Sequence, residues 1–131
     1  MQFLEQRRDQ ALALFRIVIG LFFVIHGVQK VMKGTPLLSW PGGPMSLIEL
    51  VGGTLILIGL WTRWAALISS GAMAYAYFVV HQPKGLLPVQ NGGELAAVYS
   101  WVFLLLVFTG AGAWSIDAFR KTSKKKSLVN A

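Results

Sequence analysis

The sequence predicts an all-α integral membrane protein, a four-helix bundle with both termini on the cytoplasmic side. Three observations support that reading. Four stretches are apolar over roughly the length of a membrane span. Of the 131 residues, 55% are hydrophobic and only 13% charged, whereas an ordinary soluble domain has about 25% charged residues. The basic residues also collect on one side of the apolar stretches. A spanning helix needs about 20 mostly apolar residues to cross a hydrocarbon core of about 30 Å.

The first span is predicted over about 11–31 (ALALFRIVIGLFFVIHGVQKV), with an apolar centre from Ile17 to Ile25 and polar groups only near its ends. That apolar run is long and no A-x-A-like cleavage site follows it, so it is read as a span and not as a signal peptide. The second span, about 45–61, holds a lone Glu49 near its start. The third, about 64–80, is rich in Ala, Ser and Gly, the small residues that let helix backbones approach closely within a bilayer. The fourth, about 95–113, closes on Gly110 and Gly112, which suit a helix terminus. Between the second and third spans only Thr62 and Arg63 remain, so these two must form an antiparallel hairpin. The other links, 33–44 and 81–93, hold all five prolines and read as turn-rich segments on one membrane face. The whole chain, 1–131, is therefore one domain with a basic cytoplasmic tail at 120–131.

The formal charge of +7 would point to nucleic acid or an anionic surface in a soluble protein. Here the basic residues divide by side. Arg7, Arg8, Arg16, Arg63, Arg120, Lys121, Lys124, Lys125 and Lys126 lie with the termini and the Thr62–Arg63 turn, against Lys30, Lys33 and Lys84 on the other side. That bias assigns the termini to the cytoplasm, makes the lipid bilayer the expected partner and sets nucleic acid aside. The chain has no cysteine, so disulfides, thiolate metal sites, iron–sulfur clusters and dithiol redox chemistry are excluded.

The polar residues near the spans gather at one depth. His26, Gln29 and Lys30 close the first span, Glu49 opens the second, His81 closes the third and Glu94 opens the fourth, with Lys84 and Asn91 in the link between them. A charge at the centre of a spanning helix costs about 2.5–3.5 kcal/mol on insertion scales, so an intramembrane ionisable group is read first as part of a functional site. The plainer reading, for Lys30, Lys84 and His81, is snorkelling to the interface.

Helical spacing sharpens the choice. Arg16, Gly20, Phe23, Gly27 and Lys30 recur at +4, +3, +4, +3, and Glu49, Gly52, Gly53, Ile56, Gly59 and Arg63 make a matching stripe. Glycines on a charged face mean that the face packs against protein, which directs Glu49 into the bundle. There it must be neutral, paired with a cation such as Lys30, or bound to a ligand. The Gly92-Gly93-Glu94 step is expected to aim Glu94 at the bundle axis. Arg16 and Arg63, about 21 Å along their helices from Lys30 and Glu49, are read as topology and headgroup anchors. No helix has a Glu-x-x-His pair, so no metal is predicted; no phosphate-loop or dinucleotide fingerprint is present either.

Taken together, R-x3-G (Arg16, Gly20), H-G-x-Q-K (His26 to Lys30), E-L-x-G-G (Glu49 to Gly53), G-L-x-T-R (Gly59 to Arg63), A-Y-F-V-V-H-x-P-K-G (Ala76 to Gly85) and N-G-G-E (Asn91 to Glu94) resemble the DoxX family of small bacterial four-helix membrane proteins. The resemblance covers about 12–118 and includes the Trp114-Ser115-Ile116-Asp117 close after the last span. It implies a multi-pass protein of the bacterial plasma (inner) membrane with an oxidoreductase role. Relatives include the membrane subunit of an archaeal thiosulfate:quinone oxidoreductase and a mycobacterial member that assembles with a superoxide dismutase and a sulfurtransferase. A quinone is thus the implied cofactor, and soluble redox enzymes are the implied partners.

On this reading Glu49, His26 and Glu94 are the candidate proton-exchanging residues, while Gln29, Lys30, His81, Lys84 and Asn91 are candidate ligand-binding residues. Two alternatives stay open. One is a non-catalytic membrane scaffold that docks soluble redox enzymes through its loops. The other is a small-molecule binding or transport protein, which with four spans would need to be a homodimer; the Ala/Gly/Ser-rich third helix could supply that interface.

Overall fold

A computed structural model describes residues 1–40 and 42–130; Pro41 of the first link and Ala131 of the tail lie outside the described residues. The described chain is all-helical, with no strand. A short α1 (Gln2–Gln6) leads into α2 (Arg8–Met32), followed by α3 (Gly42–Ile58) and α4 (Thr62–Tyr75). The axis of α4 continues through a π-helical turn (Ala76–His81) and a 3-10 turn (Gln82–Lys84), after which come α5 (Pro88–Asn91), α6 (Glu94–Thr109) and α7 (Ile116–Val129). The 25-residue α2 and the continuous 23-residue helix Thr62–Lys84 are long and apolar enough to cross a membrane. Helices α3 and α6 are apolar but shorter, with 17 and 16 residues.

The two predicted stripes are buried from Arg16 to Gly27 and from Glu49 to Gly59, while Lys30 reaches the rim and Arg63, which falls in α4, is exposed. Helix α2 buries Ala13, Arg16, Gly20, Phe23 and Gly27, and α3 buries Glu49, Gly52, Gly53 and Ile56 among others. They cross where Gly20 meets Gly53. A Cβ on Gly20 would stand 2.8 Å from the Leu57 backbone nitrogen, and one on Gly53 would stand 3.0 Å from the Val24 nitrogen. Backbone meets backbone there, which only glycine permits.

Helix α3 stops three residues earlier than predicted. Gly59 takes a left-handed φ of +73°, and the Leu60 amide turns back to the Leu55 carbonyl at 2.9 Å, the hydrogen-bond pattern of a glycine-terminated helix. Asp117, from the start of α7, then accepts from the Trp61 and Thr62 amides at 2.8 and 2.9 Å. This supplies from a distant segment the cap that the N-terminus of α4 lacks locally.

Helix α3 packs on α4, and α4 on α6. The α4–α6 contact is fastened by a reciprocal pair: Ser70 Oγ donates to the Ser100 carbonyl at 2.8 Å and Ser100 Oγ to the Ser70 carbonyl at 3.2 Å. Aromatic rings bring α2 to α6, with Phe23 lying 4.6 Å from Phe103 and 5.5 Å from Tyr99, centroid to centroid. Ile56, Ala66 and Leu106 complete a core reached by all four long helices.

Arg16 and Arg63 require a correction, because neither serves as a free headgroup anchor. Arg16 is fully buried. Its Nε donates to the Ala111 carbonyl (2.9 Å), Nη1 to those of Ile56 (2.8 Å) and Leu57 (2.7 Å), and Nη2 to those of Ala113 (3.3 Å) and Trp114 (2.9 Å). Arg63 Nη1 donates to the Val107 and Phe108 carbonyls near the end of α6, at 2.9 and 3.0 Å. One physical reason serves Arg63 and the α3 contacts of Arg16, while the other three Arg16 acceptors lie in the non-helical segment 111–114. The last carbonyls of a helix have no partner within it and carry the negative end of its dipole, and a guanidinium offers five N–H donors in one plane.

Candidate functional site

At the end of the molecule opposite the chain termini, the long helices line a half-open cavity of about 210 Å³. Its wall includes His26 and Lys30 from α2, Glu49 from α3, His81 from the π-helical turn and Tyr99 from α6. At about 30 Å³ per water molecule it would hold roughly seven waters. Pockets for drug-sized ligands run to roughly 300–1,000 Å³, so this space suits a single substituted ring or a small polar molecule.

Local structure explains each placement. His26 and Lys30 are four residues apart and share the face that holds Gly27. A Cβ on Gly27 would lie 3.1 Å from the Glu49 Cβ, so the missing side chain lets α3 in. Lys30 Nζ then reaches Glu49 Oε1 at 2.7 Å. The Glu49 side chain is only 5% exposed whereas that of Lys30 is 39% exposed, so the pair runs from the interior to the rim. The second carboxylate oxygen, Oε2, is buried with no hydrogen-bond partner.

His81 arrives by a different route. The six-residue π-helical turn widens the end of α4, a deviation found often at functional sites. Gly93 packs directly on the result: a Cβ there would stand 2.6 Å from the His81 Cβ. His81 Nδ1 is buried and also without a partner. The apolar side of the cavity is aromatic. Tyr99 is stacked on Phe103 at 5.6 Å with an interplanar angle of 9°, and presents an edge-on contact to His26 at 5.9 Å and 87°.

Of the eight candidate residues, the structure brings His26, Lys30, Glu49 and His81 together around this cavity. Gln29, Lys84 and Glu94 are exposed and stand outside it. Asn91 is buried but serves its own loop: Nδ2 donates to the Gly85 carbonyl (3.1 Å) and the Tyr77 hydroxyl (3.4 Å), and Oδ1 accepts from the Gly93 amide (2.8 Å). Glu94 does not aim at the axis. Tyr99, Phe103 and Leu106 define the inward face of α6, and Glu94 sits about 140° around the helix from Tyr99 at 3.6 residues per turn. Tyr99 and Phe23 line the cavity without having been singled out as ligand contacts. The available signal was a tyrosine set four and seven residues before Phe103 and Leu106, a hydroxyl on a core-facing stripe.

A larger hollow, about 570 Å³, lies at the opposite end beside Asp9, Arg63, Gly110, Asp117 and Lys121. Size does not make it the better candidate. Asp117 is committed to the α4 end and Arg63 to the α6 carbonyls, which leaves the Thr62 hydroxyl as its unpartnered buried atom, whereas the smaller cavity has two, both on ionisable side chains, Glu49 and His81. Among the described residues no group of three or more Asp, Glu or His side chains converges as a metal site.

Comparison with known proteins gives the same family as the residue pattern. The DoxX family model matches residues 11–82. An uncharacterized protein of Haemophilus influenzae is 46% identical over 127 residues, covering 87% of this chain and 93% of its own length. An uncharacterized membrane protein of Mycobacterium tuberculosis is 31% identical, covering 88% of this chain and 83% of its own. CatD of Bacillus subtilis, named as a proposed oxidoreductase, is 28% identical over 90% of this chain and 92% of its own. No solved structure matches the chain. With more than half the chain inside the family model and a relative of such identity over most of its length, the protein belongs to the DoxX family.

Proposed function

We propose that the chain is a multi-pass inner-membrane protein, a four-helix bundle with both termini in the cytoplasm, and that its outer-leaflet cavity binds a quinone as the membrane component of an oxidoreductase. The membrane reading is supported by what the helices leave uncovered. Leu14, Val18, Leu21, Phe22 and Ile25 of α2 are exposed, as are Val98, Trp101, Leu105 and Phe108 of α6. Soluble monomers rarely expose contiguous apolar patches above a few hundred Å², and lipid solvates such a surface. The name of the mycobacterial relative agrees, and nine basic residues on the terminal side against three on the other orient the chain.

The observation behind the quinone reading is the pairing of a one-ring aromatic cavity with the unpartnered Glu49 Oε2 and His81 Nδ1. A bound quinone supplies two-electron chemistry coupled to protons. Phe23 and Tyr99 would hold its ring, Lys30 would donate to one of its oxygens, and Glu49 and His81 would accept from the hydroxyls of its reduced form. His26 and His81 are suited to pass protons to water, because an imidazole can donate through one ring nitrogen while it accepts through the other. The chain has no cysteine, so electrons would come from a partner protein or substrate and not from protein thiols. The oxidoreductase name of CatD supports this reading.

Calorimetric titration of the detergent-purified protein with ubiquinone-1 tests it. Saturable binding at one site is expected, weakened at least tenfold in Lys30→Met and in His26→Ala; a charge-assisted hydrogen bond from Lys30 to a quinone oxygen is worth about 1.5–3 kcal/mol. Binding that is absent from the wild type, or untouched by both substitutions, would overturn the assignment.

A further inference from the structure

We propose that the cavity selects the reduced, hydroxyl-bearing form of the ring over the oxidised form, an inference that rests on the quinone reading above. It follows from which atoms in the wall still want a partner. Glu49, paired with Lys30 through Oε1 at 2.7 Å, has Oε2 left over, buried and unpartnered. A carboxylate oxygen can only accept. His81 Nδ1 is buried and unpartnered too, and it accepts whenever the ring proton sits on Nε2.

The two forms of the ring meet this inventory differently. Both oxygens of a quinone are carbonyls, which only accept, so they can take the remaining N–H groups of Lys30 but leave Glu49 Oε2 bare. The oxygens of a quinol carry hydrogens and donate. One hydroxyl can serve Glu49 Oε2 while its own lone pairs take Lys30, and the other is free for His81. If His81 carries its proton on Nδ1 it can donate to a carbonyl, yet Glu49 Oε2 remains unsatisfied. A buried acceptor left bare costs more than a typical hydrogen bond returns. Sites that bind a hydroxyl therefore discriminate strongly against analogues lacking it. The rim position of Lys30, 39% exposed, admits some water and limits the ratio, so at least tenfold is expected here.

The experiment compares ubiquinol-1 with ubiquinone-1 by anaerobic calorimetry on the wild-type protein in detergent, and repeats both titrations on Glu49→Gln. Tighter quinol binding by tenfold or more is expected in the wild type, equivalent to raising the midpoint of the bound couple by about 30 mV. In Glu49→Gln the carboxamide brings an N–H donor to the same place, so the preference should collapse or invert. Equal or tighter binding of the quinone by wild type would overturn the selectivity while leaving the quinone reading in place. Failure of both ligands to bind would remove the quinone reading itself. A quinol preference that survives Glu49→Gln would overturn the role given to Glu49. The wild-type comparison stands even if the variant does not fold.

Discussion

Arg16→Met is expected to prevent the protein from folding to a monodisperse species, although methionine keeps a flexible apolar stem like that of the side chain it replaces. The arginine holds five carbonyls, two at the end of α3 and three in the segment 111–114 that follows α6. Without it the Leu57, Ala111, Ala113 and Trp114 carbonyls lose this donor, while the Ile56 carbonyl keeps the Gly59 amide at 3.2 Å. A buried orphan costs about 1–3 kcal/mol, so four carbonyls losing a donor together take a large share of the net stability of a domain, about 5–15 kcal/mol. Arg16→Lys should recover only part of the loss, because an ammonium gathers its three donors at one point and cannot span the carbonyls a planar fork reaches. Size-exclusion profiles and thermal unfolding followed by circular dichroism give the readout. A midpoint unchanged in Arg16→Met would refute the clamp.

The Lys30–Glu49 pair carries the second large effect, and the ranking of its variants is counterintuitive. Lys30→Met, at the more exposed partner, should destabilise more than Glu49→Leu. Removing Lys30 strands a carboxylate whose side chain is 5% exposed, whereas removing Glu49 leaves an ammonium that can turn to water from a position already 39% exposed. Stranding one charge of a buried pair costs about 3–5 kcal/mol, and replacing both with apolar groups is often close to neutral. Partial access of Lys30 to water places the expected cost of Lys30→Met near the lower figure. The double variant Lys30→Met/Glu49→Leu should then be more stable than Lys30→Met alone. A double-mutant cycle of unfolding midpoints checks this; strictly additive losses would show that the pair is not coupled.

The parts of this architecture that repeat with the helix period were legible in the amino-acid sequence. The stripe from Arg16 to Gly27 and the one from Glu49 to Ile56 are the buried faces of α2 and α3, because glycines at helical spacing beside a charge mark close packing. The Lys30 partner of Glu49 follows from the same reasoning. What escaped it depends on non-local structure. Burial of Arg16 requires the segment after α6 to fold back over the end of α3, which no local pattern announces. His81, expected at this depth, does line the cavity, but the π-helical turn that carries it there shifts the helical register without a sequence signature of its own. Glu94 turned outward because the inward face of α6 is set by Tyr99, Phe103 and Leu106, not by the glycines before it.

Photolabelling distinguishes a quinone ring seated among Phe23, Lys30, Glu49 and Tyr99 from one bound elsewhere. The detergent-purified protein, irradiated with an azido-quinone and digested, should carry the label on peptides from the end of α2 and the starts of α3 and α6, with protection by excess ubiquinone-1. Label confined to the hollow beside Arg63 and Lys121, or spread along the lipid-facing surface without protection, would contradict the account.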